Sequence, residues 1–249
     1  MIHNAMRNLT EQDLIRLWES GLDLHPIDRA LTMLAAAHPA LSWDDLQTLS
    51  IGQRDGRLLE VWEHTFGPTL EGYAECPQCG ERLEFQIEAA QVHAVGSRGI
   101  AASTYDWVND QFAIEFRLPN SRDLAVAATA GQLETAYWLL VNRCIIGAFQ
   151  SGEQIMPSDL PVEIVQQIAE GMTRHDPLAE VLLNLTCPAC QKQWQAHFDI
   201  TTFLWSELAV TAKRLLREVH TLARAYGWRE ADILALSAVR RQYYLEMVS

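Results

Sequence analysis

Across the first 68 residues the apolar positions recur three or four apart, which is the period of amphipathic helices. Thr10 stands where it can cap "EQDLIRLWES", with Asp13 at the third helical position to complete a capping box. Pro26 and Asp28 suit the first turn of "PIDRALTMLAAA", and His38–Pro39 predicts where that helix stops. In "GQRDGRLLEVWEHTFG", Leu58, Leu59, Trp62 and Phe66 form one stripe, closed by Gly67–Pro68.

At Thr69 the period changes to two. "TLEGYAEC" and "RLEFQI" flank a tight turn, with Leu83, Phe85 and Ile87 alternating with polar residues, which predicts a β-hairpin. "FAIEFRL" predicts a third strand with Phe112, Ile114, Phe116 and Leu118 on one face. A helix capped by Asn120 or Ser121 follows, then a second from about Gln132 to Cys144. Residues 150–161 read as a loop and Pro161–Thr173 as a helix. The hairpin pattern then returns in "AEVLLNLTCPACQKQWQAHFDI", where Val181, Leu183 and Leu185 precede a turn and Trp194, Ala196, Phe198 and Ile200 follow it. A long helix from Asp199 to Gly227 carries Leu204, Leu208, Leu215, Val219 and Leu222 at helical spacing, and "READILAL" and "SAVRRQYYLEMV" predict two short closing helices. The expected fold class is α+β, mostly helical, with a small antiparallel β core formed by the two hairpins. Its expected parts are a helical region over 1–68, a β-rich region over 69–200 with inserted helices, and a helical region over 201–249.

Composition narrows the function classes. Hydrophobic residues make up 49% and charged residues 20% of the 249 positions, a globular balance. The formal net charge of −13 repels phosphate and anionic lipid, which weighs against nucleic-acid or membrane partners. The most apolar run, "AYWLLVNRCIIGAF", is interrupted by Asn142 and Arg143 and falls short of a membrane span. The first residues contain no basic-then-apolar leader, so a reducing cytosol is the expected compartment during assembly.

Both hairpin turns carry CPxC, and these pairs hold four of the five cysteines: Cys76 with Cys79, and Cys187 with Cys190. In a reducing compartment such pairs serve more often as metal ligands or catalytic thiols than as disulfides. Two thiolates on each turn can face one ion, and zinc takes four thiolates tetrahedrally. The expected cofactor is one structural Zn2+ per chain, held by Cys76, Cys79, Cys187 and Cys190. Gly80 follows the first pair where a knuckle needs positive φ, whereas Gln191 holds that place in the second. A redox dithiol is the competing reading. It favours CxxC opening a helix, while strands follow both pairs here. Thiols without a shared partner form the third reading. Cys144 lies on an apolar helix and reads as core packing.

The chain contains no HExxH, P-loop, GxSxG or GxGxxG motif. His64 and His220 stand singly on helices, and Asp44–Asp45 and Glu230/Asp232 read as helix-start charges. An enzyme is therefore not expected. The C-terminal segment from His220 reads as a folded-back helical cap, with docking for a partner as its other use.

The helix Ile51–Gly67, the hairpin Cys76–Ile87 and the block Cys187–Val248 resemble baseplate proteins of T-even-like contractile phage tails and of phage-tail-like injection systems. The C-terminal block carries most of the likeness, in Phe203–Leu204–Trp205, Glu218–Val219–His220, Tyr226–Gly227–Trp228 and Asp232 to Leu236. The resemblance implies a non-enzymatic assembly or structural role beside baseplate hub, wedge or tail-tube proteins, with incorporation in the tail as one outcome. A zinc-ribbon adaptor for nucleic-acid processing and a thiol oxidoreductase are the alternative functions.

Overall fold

The computed structural model describes residues 6–96 and 102–248. The helical beginning comprises α1 (Glu11–Gly21), α2 (Pro26–Ala37), α3 (Trp43–Thr48) and α4 (Ile51–Phe66). Then come β1 (Thr69–Glu75), β2 (Arg82–Glu88), α5 (Ala89–Gly96), β3 (Tyr105–Val108) and β4 (Phe112–Phe116). The middle holds α6 (Ser121–Ala127), α7 (Leu133–Cys144), β5 (Ile145–Gln150), β6 (Glu153–Gln154) and α8 (Val162–His175). The chain closes with β7 (Val181–Thr186), β8 (Gln193–Phe198), α9 (Ile200–Tyr226), α10 (Glu230–Leu234) and α11 (Ala238–Glu246). This is an α+β fold with small antiparallel sheets.

The elements form two compact units, Met1–Leu41 with Ile200–Ser249, and Ser42–Asp199. In the first, Thr10 and Asp13 make the expected capping box and α2 begins at Pro26. Ile15 of α1 packs with Ala212 and Leu215 of α9. Past Gly227, whose φ of 69° ends α9, the chain folds back and buries Ile233 against Val219 and Leu222. Tyr226 stacks on Trp228 at 4.6 Å between ring centroids, and Tyr244 meets Trp228 edge-on. Arg241 is 1% exposed; it donates both terminal nitrogens to Glu11 and its Nε to Glu218, each at 2.6 Å. The C-terminal segment is thus a helical cap on α9.

In the second unit, an apolar cluster lies on the four-stranded antiparallel sheet, in order β3-β4-β5-β6. Phe112, Ile114 and Phe116 of β4 join Ile145 and Ala148 of β5 and Val165 and Ile168 of α8. The expected alternation in "FAIEF" is therefore what covers this core. The two CPxC hairpins, β1–β2 and β7–β8, are separate two-stranded sheets, so the larger β core lies outside them. The apolar run at Ala136 changes from helix to strand at Cys144–Ile145. There β-branched Ile145 pairs with Phe116, and Arg117 donates its backbone N–H to the Cys144 carbonyl at 2.9 Å.

Two buried carboxylates tie loops to helix starts. Asp176 accepts from Ser50 Oγ at 3.0 Å and from the Gly52 backbone N–H at 2.9 Å, at the start of α4. A methyl group on Gly52 would overlap that carboxylate. Asp123 closes a capping box with Asn120 and accepts from Arg117 and Arg143. Cys144 is fully buried in the apolar cluster beside it, and burial pushes its thiol up to about 12, as suits a packing residue.

Candidate metal centre

The two CPxC turns share a backbone design. In the first, the Cys76 N–H donates to the Glu81 carbonyl at 2.9 Å and the Gly80 N–H to the Cys76 carbonyl at 2.9 Å. In the second, the Cys187 N–H donates to Lys192 at 2.9 Å and the Gln191 N–H to Cys187 at 3.0 Å. This repeat requires a left-handed residue after the second cysteine: Gly80 has φ 72° and Gln191 φ 61°. Gln191, which departs from the expected glycine, adopts the same conformation, and its side chain donates to the Pro188 carbonyl at 3.2 Å.

The strands then aim the turns. Register along β1–β2 runs from Thr69↔Glu88 to Glu75↔Arg82, and along β7–β8 from Val181↔Phe198 to Thr186↔Gln193. Leu70 and Ile87 bury the inner face of the first hairpin, and Val181 and Phe198 anchor the base of the second. With each base held, the two tips converge. Cys76 Sγ lies 3.7 Å from Cys190 Sγ, and Cys79 Sγ lies 3.6 Å from Cys187 Sγ. The ligand atoms of all four lie within 4.8 Å of one another.

These separations discriminate between chemistries. A disulfide needs about 2.05 Å between sulfurs, and all five cysteines are free. Four thiolates about 2.3 Å from a tetrahedral zinc are about 3.8 Å apart along each edge, close to both measured contacts. The cluster can hold a metal ion. Strands, not helices, follow both pairs, so no helix N-terminus stabilises a thiolate in the manner of a redox CxxC.

Cys76 and Cys187 are buried, Cys190 is half-buried and Cys79 is exposed. Burial opposes a thiolate at Cys76, but backbone N–H groups of Gln78 and Cys79 and the neighbouring sulfurs hold it down to about 7. Cys79 receives a favourable backbone bond at Glu81, yet its contacts with Cys190, Cys187 and Cys76 push it up to about 12. One sulfur of the group ionises readily while another keeps its proton, as crowded like charges require.

The other candidates do not join this cluster. His64 is exposed, with Nδ1 at 2.9 Å from the Glu60 carbonyl, and His220 is exposed on α9. Asp45 completes the capping box of α3, and Glu230 and Asp232 lie in the first turn of α10. Sequence spacing did not reveal which sulfurs pair across the hairpins; that follows from the mutual orientation of the two tips.

Residues 41–205 match the family described as T4 bacteriophage base plate protein. The chain belongs to that family. No curated protein and no solved structure matches it. The family match covers the whole of the unit Ser42–Asp199, including both CPxC hairpins. It ends at Trp205, so most of the C-terminal block that carries the resemblance in the sequence lies beyond it. Membership in the base plate family supports a structural role among other baseplate or tail proteins. Among the described residues, no helix is long and apolar enough to cross a membrane.

Proposed function

We propose that this chain is a non-enzymatic structural subunit of the baseplate of a contractile phage tail or phage-tail-like injection system, with one structural Zn2+ on Cys76, Cys79, Cys187 and Cys190. The observation that carries the reading is the family match over the unit in which those four sulfurs converge. Four thiolates fill a tetrahedral zinc, leaving no position for substrate, so the ion serves as a staple. It joins residues 108 and 114 positions apart. Closing a loop of that order by a cross-link contributes about 4–5 kcal/mol against the unfolded chain. Isolated two-stranded hairpins are marginal in water, so a shared ion matters most at their tips. The partners are hub, wedge or tail-tube proteins, met in the cytoplasm while the baseplate assembles.

Elemental analysis of the purified protein should give one zinc per chain, and Cys76→Ser and Cys187→Ser should each abolish it. Fully reduced protein that takes up no zinc would overturn the metal assignment. Mass spectrometry of purified particles should find the chain in the baseplate. Its absence from particles that nevertheless require it for assembly would replace a structural subunit with an assembly factor.

A further inference from the structure

The net charge is unevenly placed. Met1–Leu41 with Ile200–Ser249 holds ten basic and ten acidic residues, whereas Ser42–Asp199 holds nine basic and twenty-two acidic, the entire −13. Within that second unit, one sheet face gathers the charge around an exposed aromatic ring. On the outer face of β1–β2 the register sets Tyr73 opposite Glu84 and Glu75 opposite Arg82, with Glu71 and Glu88 further along. Tyr73 is 75% exposed, and it lines a groove of about 520 Å3 with Ala74, Glu75, Arg82 and Glu84. Among the described residues, Glu71, Glu75 and Glu84 have no side-chain hydrogen bond or salt bridge.

The companion hairpin is an internal control. It has the same CPxC turn and the same backbone bonds, yet the outer face of β7–β8 carries Leu182, Asn184, Thr186, Gln193, Gln195 and His197, with no carboxylate. Neither the turn nor the pairing requires the acid on β1–β2. Diagonal carboxylates across a strand pair repel one another, which costs stability in the isolated chain. An exposed tyrosine among them offers a ring face to a cation.

We propose that the outer face of β1–β2 docks a segment of a partner protein bearing spaced arginine or lysine side chains. Charge complementarity selects the occupant: phosphate backbones and anionic lipid are repelled here, whereas guanidinium and ammonium groups are attracted. A bound ion is not the occupant. Among the described residues, the four cysteines are the one group of three or more His, Cys, Asp or Glu side chains close enough to hold a metal. The carboxylates instead recur at every fourth residue of each strand, Glu71 and Glu75 on β1 and Glu84 and Glu88 on β2, about 13 Å apart, the spacing of every fourth residue in a second extended chain. This inference deepens the baseplate reading by naming the chemistry of a partner contact.

The test uses the full chain and a fluorescently labelled synthetic peptide of alternating arginine and serine, followed by anisotropy, with an alternating glutamate–serine peptide as comparison. Glu71→Gln with Glu84→Gln should weaken arginine-peptide binding about five- to tenfold, and Tyr73→Ser about threefold. Glu153→Gln with Glu163→Gln makes the same charge change at other exposed sites and should alter it less than about twofold. Glu71→Arg with Glu84→Arg should reverse the preference toward the glutamate peptide. Equal loss in both glutamine pairs, no preference for the arginine peptide, or no reversal would each overturn the proposal. Zinc content and particle incorporation of the unsubstituted protein would be unaffected by any of these failures, so they test the baseplate reading separately.

Discussion

The two CPxC turns form a matched pair in which one left-handed position is occupied by glycine and the other by glutamine. For an L-residue this conformation costs about 1–2 kcal/mol. Replacing Gly80 with alanine meets no steric obstacle, because the added methyl would have Glu75 Oε1 at 3.7 Å as its nearest neighbour. The penalty is therefore purely backbone strain, offset by about 0.4–1 kcal/mol from a less flexible unfolded chain. Gly80→Ala should lose about 1 kcal/mol. Gln191→Gly runs the other way. It relieves the strain, gives back the same entropy, and removes the exposed bond from Gln191 to the Pro188 carbonyl, worth about 0.5 kcal/mol. Its gain should be about 0.5 kcal/mol, and Gly80→Gln with Gln191→Gly should nearly cancel. Urea unfolding of the reduced protein at fixed zinc, followed by tryptophan fluorescence, reads both changes; at about 2–4 °C per kcal/mol, thermal melting reads the larger one. A Gly80→Ala midpoint equal to that of the parent would refute the claim that positive φ constrains the turn.

Three further outcomes follow from buried charge and from the thiols. Arg241→Ala leaves Glu218 and Glu11 without their shared partner and should cost about 3–5 kcal/mol in urea unfolding, whereas joint replacement of all three by apolar residues should cost much less. Burial opposes ionisation of Asp123, but Arg117, the Asn120 backbone N–H and Arg143 outweigh it and hold the carboxyl below its ordinary 3.8. Its stabilising contribution is complete above about pH 4 and is lost as pH falls through the depressed value, so Asp123→Asn should lower stability at neutral pH and flatten the acid limb of the stability curve. Removing metal with a strong chelator should lower the unfolding midpoint of the parent and leave that of a Cys187→Ser variant unchanged; equal shifts in both would place the bound metal elsewhere.

Much of the fold was legible because its causes are local. Thr10 with Asp13, Asn120 with Asp123, and Pro26 at the first turn of α2 set helix starts through atoms a few residues apart. Both hairpins were legible from their alternation and from CPxC at each turn. The four-stranded sheet was only partly so: β4 stands out, but β3 has four residues and β6 two, too few to establish a period. β5 lies directly behind an apolar helix and shares its composition, so pattern alone does not separate them. Pairing with Phe116 does. The set of clustered thiols was readable from repeated motifs, yet the cross-hairpin contacts Cys76–Cys190 and Cys79–Cys187 were not.

By itself the sequence determined where helices begin, where the chain turns, which side of each hairpin strand is apolar, and that four cysteines sit on two equivalent turns. Tertiary structure decided that the two hairpins stay separate sheets, that Gln191 takes a glycine's conformation, and that sulfurs 108 and 114 positions apart come within 3.6 and 3.7 Å. The division has a physical reason. Caps, turns and alternation are set by neighbours along the chain, whereas convergence of the hairpin tips depends on how each hairpin base is anchored, by contacts between segments far apart in sequence.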